Sequence, residues 1–203
     1  MGKAFSDEEK QAIREKLLET GMEMFHDNSV KAVNIRELTA RAGISQGGFY
    51  TFYKDKDEFV LDVMRYRSAQ KIADAEKLFW QPTDDPAGLM SKVLFEYLID
   101  MKHKTDTRAA YSEVFQMLVK HQERIGARSI TLFRGFIERI NACWIERGIP
   151  AEVDIEGMCG VMAGAFVLFF HNEMIDRDYF DEIFKAFLDA GVKKYIKKAG
   201  KNK

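Results

Sequence analysis

The chain has 203 residues, 46% hydrophobic and 31% charged, with a formal net charge of −1. That length buries a core without disulfide or metal staples, and the composition is that of a globular protein. Near-neutral charge excludes attraction to nucleic acid by bulk charge, so any such binding must come from a local concentration of positive side chains.

The charge is unevenly spread. Residues 1–30 carry 4 Lys/Arg against 7 Asp/Glu, whereas residues 31–56 carry 5 against 2. Cys143 and Cys159 have neither metal-ligand spacing nor the pattern of a disulfide framework. They read as small buried hydrophobes, and a reducing, cytoplasmic setting is expected. The opening MGKAFSDEEK has no apolar stretch, so no secretory leader is expected. The longest uncharged run, 157–172, is glycine-bearing and too short to span a bilayer.

The first predicted helix covers residues 7–27. Ser6 and Glu9 form an S-x-x-E capping box at its start. Ile13, Leu17, Met24 and Phe25 share its inward face, and Asn28 can end it in a left-handed turn. Its Glu-rich outer face reads as solvated.

The stretch NIRELTARAGISQGGFYTFY, 34–53, reads as two short helices around a tight turn. Asn34 is placed to cap the first, and Ile35, Leu38 and Ala42 recur at helical spacing. Gly43 suits a left-handed residue closing that helix, and Ser45 suits the cap of the next. The second helix is predicted from Gln46 to about Tyr53, with Phe49 and either Phe52 or Tyr53 inward. Helix, glycine turn, helix is the arrangement that presents a second helix to the DNA major groove.

Gly47 and Gly48 fall in the first turn of that helix. Glycine costs about 1 kcal/mol against alanine in a helix interior and less in a first turn. The bland reading is tolerance; the functional one is close approach of backbone to base edges or phosphates. Gln46 can pair bidentately with adenine and Arg36 with guanine, although Arg36 can equally pair with Glu37 or Glu58. A tyrosine hydroxyl at Tyr50 and an ammonium at Lys56, beside a helix N-terminus, both suit a phosphate oxygen. Thr51 adds a further contact.

Read through KDK at 54–56, the string resembles the DNA-binding domain of the tetracycline-repressor (TetR) family. RELTARAGIS, then GGFYTFYKDKDEF, and the preceding LLETGMEMFHDNSV carry the resemblance, over about residues 10–62. It implies an all-α fold with a three-helix DNA-binding domain carrying the helix-turn-helix, followed by a helical bundle for ligand binding and dimerisation. It also implies that Tyr50 and Lys56 contact phosphate. The implied DNA-binding set is Asn34, Arg36, Ser45, Gln46, Gly47, Gly48, Tyr50, Thr51 and Lys56. Asn34 stands where Thr is usual, Thr39 where a small Ala packs, and Gln46 where Lys is frequent. These departures bear on the operator sequence and leave the fold expectation intact. The Thr39 hydroxyl would need the carbonyl four residues back as its partner.

A long helix is predicted from Asp57 to about Phe79, then a break at Trp80 to Pro86, where two prolines stand four apart. Further helices are expected at about 87–103, 106–122, 126–147, 153–174 and 178–198. Tyr111, Val114, Phe115 and Leu118 share a face of the second, and Ile130, Phe133, Ile137, Ile140 and Trp144 one of the third. Gly148 and Pro150 stop that third helix. No stretch shows sustained strand alternation. The predicted division is a DNA-binding domain at 1–53, a connecting helix at 54–81, and an effector-binding and dimerisation domain at 82–203.

Phe95, Met101, Phe115, Phe133, Trp144, Met162 and Phe166 are large, soft side chains that core packing alone would explain. The resemblance implies that they line a pocket for an apolar small-molecule effector. One three-helix unit offers few contacts, so a homodimer on a palindromic double-stranded operator is expected. Gly157, Gly160, Gly164, Leu168 and His171 form a stripe assigned to the dimer interface, with intramolecular packing as the alternative. In this reading, effector binding tilts the connecting helix and separates two recognition helices. His26, His103, His121 and His171 lack ligand spacing, so no metal or cofactor is expected. No nucleophile or acid–base constellation supports an enzyme. A helical protein-binding adaptor is the other alternative, separated by the absence of salt-sensitive DNA binding.

Overall fold

A computed structural model describes residues 6–27, 30, 33–120 and 122–198, with the side chains of 26, 27 and 122–132 outside the description. The expectations for Asn28, His26, His121 and Ile130 lie outside the described residues or side chains. The elements are α1 (Asp7–Asp27), α2 (Ile35–Ala42), α3 (Gln46–Phe49), α4 (Lys56–Leu78), α5 (Pro86–Thr107), α6 (Ala109–Lys120), α7 (Gln122–Glu146), β1 (Ala151–Val153), α8 (Ile155–Phe170), α9 (Arg177–Tyr195) and β2 (Ile196–Lys198). A single 3₁₀ turn, Asn172–Met174, lies between α8 and α9. Among the described residues the fold is all-α but for a two-stranded ribbon.

Helix ends follow local chemistry. Ser6 and Glu9 make the reciprocal capping box: Ser6 N–H donates to Glu9 Oε2 at 2.7 Å and Glu9 N–H to Ser6 Oγ at 3.1 Å. Pro86 opens α5, where its missing N–H is no loss, and Asp85 Oδ1 accepts from Gly88 N–H at 2.9 Å. Asp154 and Asp176 cap α8 and α9. Helix α5 runs past the expected stop at 104–105 to Thr107.

The chain divides into two compact units. The first comprises Met1–Lys71 with Thr105–Lys120, and the second Ile72–Lys104 with His121–Lys203. This division falls inside α4, and α6 goes with the first unit. The reason is packing. Val114 is buried in the first unit's core, with Ala110, Met117 and Leu118 against it. The Arg67 guanidinium lies 5.1 Å from the Tyr111 ring centroid.

The first unit's core joins Leu17, Met24 and Phe25 of α1, Leu38 of α2, Phe49 of α3 and Phe59, Val60 and Val63 of α4. Helix α1 carries Gly21 against Phe59 and Val63 of α4. A Cβ there would stand 2.6 Å from Phe59 Cζ and 2.9 Å from Val63 Cγ2.

In the second unit, Phe79, Trp144, Phe180 and Phe184 are fully buried among α5, α7, α8 and α9. The Trp144 indole N–H donates to Phe79 O at 3.2 Å, so its one polar atom is satisfied inside the core. Phe180 and Phe184 stack at 5.3 Å. Ser91 is buried and donates to Asp189 of α9. Lys185 and then Ser91 hold that carboxyl below the usual carboxylate range. Cys159 is buried and Cys143 half-buried, both as free thiols.

The end of the chain departs from the helical expectation. Residues 196–198 leave α9 and pair antiparallel with 151–153, Val153 opposite Ile196, and Asp154 N–H donates to Tyr195 O at 2.8 Å. Gly148, at φ 65, and Pro150 turn the chain after α7 so that 151–153 lies extended and exposes backbone groups needing partners. Three residues a side give too little alternation to read beforehand. Among the described residues no helix is long and apolar enough to cross a membrane.

We expect Gly21→Ala to destabilise the protein by about 1–3 kcal/mol, because the added methyl overpacks the Phe59 ring. A lowered urea midpoint with an unchanged slope would record it.

Candidate nucleic-acid interface

The helix-turn-helix is built from short-range bonds. Asn34 Oδ1 accepts from Arg36 N–H at 2.8 Å and opens α2. Gly43 closes it in the left-handed region, at φ 78, with its N–H on Ala40 O at 3.2 Å; Ile44 N–H reaches Thr39 O at 2.9 Å. Ser45 Oγ accepts from Gly48 N–H at 3.1 Å and opens α3. Thr39, buried between helices, donates its hydroxyl to Ile35 O at 2.9 Å and to Arg36 O at 3.1 Å, so the departure from a small residue is satisfied locally.

Helix α3 is shorter than the expected 46–53. It closes at Phe49, and the chain continues through tight turns: Thr51 N–H to Gly48 O at 3.1 Å, Phe52 N–H to Phe49 O at 2.9 Å. Two glycines and a β-branched threonine give this stretch little helical preference. Phe49 and Tyr53 point inward, and Phe52 is half-buried.

Above this floor the candidate contacts face outward. Asn34, Arg36, Ser45, Gln46, Gly47, Tyr50 and Thr51 are exposed, and Gly48 and Lys56 are half-buried. Tyr50 is 55% exposed, its ring edge-on to Phe49 at 5.4 Å. Asn34 and Ser45 use their oxygens as caps, so the fold already accounts for them. Gly47 and Gly48 are different. Neither has positive φ. A Cβ on Gly47 would meet nothing within 4 Å, and one on Gly48 only ordinary contacts with Ser45 and Ile44 at 3.4 and 3.7 Å. Nothing among the described residues requires these glycines.

Lys56 opens α4. Asp55 Oδ1 accepts from Glu58 N–H at 2.8 Å, and Glu58 Oε2 from Lys54 N–H at 2.8 Å, so the start of the helix is clamped. That engages Glu58 with backbone rather than with Arg36. Burial draws the Lys56 ammonium below the ordinary lysine value, opposed by Glu113 of α6 and Asp57.

A carboxylate lies beneath this face that periodicity alone does not reveal. Asp62 of α4 is 8% exposed. Its Oδ2 accepts from Arg14 Nε at 3.2 Å, Arg14 Nη2 at 2.7 Å and the Tyr53 hydroxyl at 3.0 Å. The available signal was a charge on the inward stripe of Phe59, Val60 and Val63.

The other candidate residues are not all brought together. Phe95, Met101, Phe133, Trp144, Met162 and Phe166 belong to the second unit, and Phe115, on α6, to the first. Phe133 and Phe166 meet at 4.9 Å, whereas Trp144 is fully buried and hydrogen-bonded as a core residue. Of the small-residue stripe, Gly157 and Gly164 face α9 of the same chain. A Cβ on Gly157 would lie 2.0 Å from the Tyr195 ring, and one on Gly164 2.7 Å from Phe187. Leu168 packs against the second unit's core. Gly160 and His171 face outward, His171 Nδ1 being 3.7 Å from Glu173 Oε1. The outward apolar residues of these helices are Val167, Tyr179 and Ile183, which the stripe did not include. Among the described residues no cluster of three or more His, Cys, Asp or Glu could hold a metal ion.

Residues 17–63 match the family model described as bacterial regulatory proteins, tetR family. Over 52 residues the chain is 36% identical to the HTH-type transcriptional repressor KstR2 of Mycolicibacterium smegmatis, a stretch covering 26% of this chain and 25% of that relative. The remaining three quarters of that relative is unmatched. The fold is similar throughout to that of SmeT, the repressor of the Stenotrophomonas maltophilia multidrug efflux pump SmeDEF, with a TM-score of 0.55, 17% identity, and coverage of 91% of this chain and 90% of that one. It is also similar to RolR, solved in complex with resorcinol, with a TM-score of 0.57, 16% identity, and coverage of 94% and 90%. With the glycine turn, the one-turn helix and Lys56 all inside it, the matched stretch at 17–63 is that of the bacterial regulatory proteins of the tetR family.

Proposed function

We propose that the protein is a transcriptional repressor that binds a palindromic DNA operator as a homodimer and is released by a small-molecule effector. The pair of unneeded glycines on α3 carries this reading. They give up about 1 kcal/mol each at most in helix preference, with no internal contact in return. A bare backbone patch is useful where another surface must come close, and the exposed side chains around it are those that read and grip DNA: Gln46 and Arg36 for base edges, Tyr50, Thr51 and Lys56 for phosphates.

Dimerisation is supported by the outer face of the last two helices. Tyr179, Ile183, Ala186 and Ala190 recur at i, i+4, i+7 and i+11 along α9, and all are exposed. Gly160 and Val167 make the matching outward line on α8. An apolar face of this kind is a natural contact for a second copy. Two copies reach half-sites about one DNA turn, or a multiple of it, apart.

The effector belongs to the second unit, where Phe95, Met101, Met162 and Phe166 are partly buried around the core. RolR's resorcinol makes a small aromatic compound the first class to try. The effector must prefer the non-binding arrangement, since equal affinity for both shifts nothing.

The deciding experiment is selection of bound duplexes from a random pool, repeated with small aromatic ligands. Enrichment of a palindrome that such a ligand abolishes is expected; a pool that never enriches would sink the proposal. Gly47→Ala should raise stability by a few tenths to about 1 kcal/mol and yet weaken operator binding about tenfold, as read by melting and fluorescence anisotropy. Lys56→Ala should weaken all sequences and lower the slope of log affinity against log salt by about 1. Ile183→Glu should give a monomer by light scattering, with about 100-fold weaker operator binding.

A further inference from the structure

We propose that the buried pair of Tyr53 and Asp62, held by Arg14 from the surface, is the positioning device of the recognition segment, fixing the angle at which α3 is presented without touching DNA. The inference rests on the DNA-binding reading above and adds residues to it.

Asp62 is costly where it stands. It lies on the inward face of α4 beside Phe59, Val60 and Val63, where a leucine would pack at no charge cost. Its three hydrogen bonds all converge on one oxygen, Oδ2, while Oδ1 lies 3.8 Å from Arg65 Nη1. The hydrogen-bond donors come from two places, Arg14 of α1 and Tyr53 at the end of the recognition segment, and Arg65, one turn on in α4, adds an ion pair.

Tyr53 is the link to α3. Its N–H donates to Phe49 O at 3.1 Å, and its ring meets Phe49 at 5.4 Å and Phe59 at 5.1 Å. A phenylalanine would make the same ring contacts, so the hydroxyl's distinct contribution is the bond to Asp62. Burial, then the Asp62 charge, push the phenol's ionisation far above its usual value, so it remains a donor.

A four-residue helix is too short to set its own direction. Ring packing holds α3 down and favours edge-on pairs, but it defines the segment's direction less sharply than a hydrogen bond does. A hydrogen bond to a buried carboxylate has a preferred length and angle. Asp62 therefore supplies what the aromatic floor lacks: a fixed direction for the segment, referred to α4 and, through Arg14, to α1. Bidentate reading of a base tolerates little misplacement.

The test compares wild type, Tyr53→Phe and, as a second variant, Asp62→Asn on the best duplex that wild type selects from a random pool. Tyr53→Phe should melt within about 5 °C of wild type. Its affinity should fall about tenfold with an unchanged salt slope, since the same phosphates are gripped. The amide resonances of Gly47 and Gly48 should move in the free protein. Asp62→Asn should move the same two resonances. Affinity within twofold of wild type, a flattened salt slope, or unmoved Gly47 and Gly48 amides would each overturn the proposal. Should wild type select no duplex, the DNA-binding reading fails, and the two glycine resonances still decide the positioning role.

Discussion

A triangle of rings holds up the face this protein turns outward. Phe49, Tyr53 and Phe59 meet pairwise at 5.1–5.6 Å, edge-on or tilted rather than flat. Four residues of helix have no stability in water, because nucleating a turn fixes more backbone than its bonds return. Helix α3 exists because Phe49 is driven fully into this triangle while Gln46, Gly47 and Tyr50 are left outside. Phe59 is shared with α1, where Gly21 leaves room for its ring. One aromatic side chain thus joins α1, α3 and α4.

The polar groups inside each unit do the orienting that apolar contact cannot. Thr39 closes on its own helix, on the carbonyls three and four residues back. Ser91 and Asp189 tie α5 to α9. Asp62 gathers Arg14 and Tyr53. Among the described residues, no buried side-chain nitrogen or oxygen lacks a hydrogen-bond partner. A satisfied buried polar group adds little net stability but penalises any arrangement that breaks it, so it selects one geometry among those the hydrophobic core would accept.

In the second unit, α8 serves two faces with small residues of opposite use. Gly157 and Gly164 admit the rings of Tyr195 and Phe187, letting α9 lie close, while Gly160 faces open space. Spacing along a helix assigns residues to a stripe but not to a neighbour; a drift of one position in the stripe carries a residue from the core to the surface. That is why the apolar outer line is better described by Val167, Tyr179 and Ile183 than by the glycines alone.

Features that depend on neighbours a few residues away were legible from residue type and spacing. The capping box at Ser6 and Glu9, the Asn34 and Ser45 caps, the left-handed Gly43 and the proline start of α5 are bonds between residues two to four apart, and their chemistry is written in residue type. The family signature is legible for the same reason, being one contiguous stretch. Tertiary structure alone decided the rest: that α6 packs with the first unit, that Phe115 parts from the other aromatic candidates, that the chain's end pairs as a strand with 151–153, and that Asp62 meets an arginine 48 positions away. Such contacts depend on which faces close together once the apolar surface is buried, and residue order along the chain does not encode that choice locally.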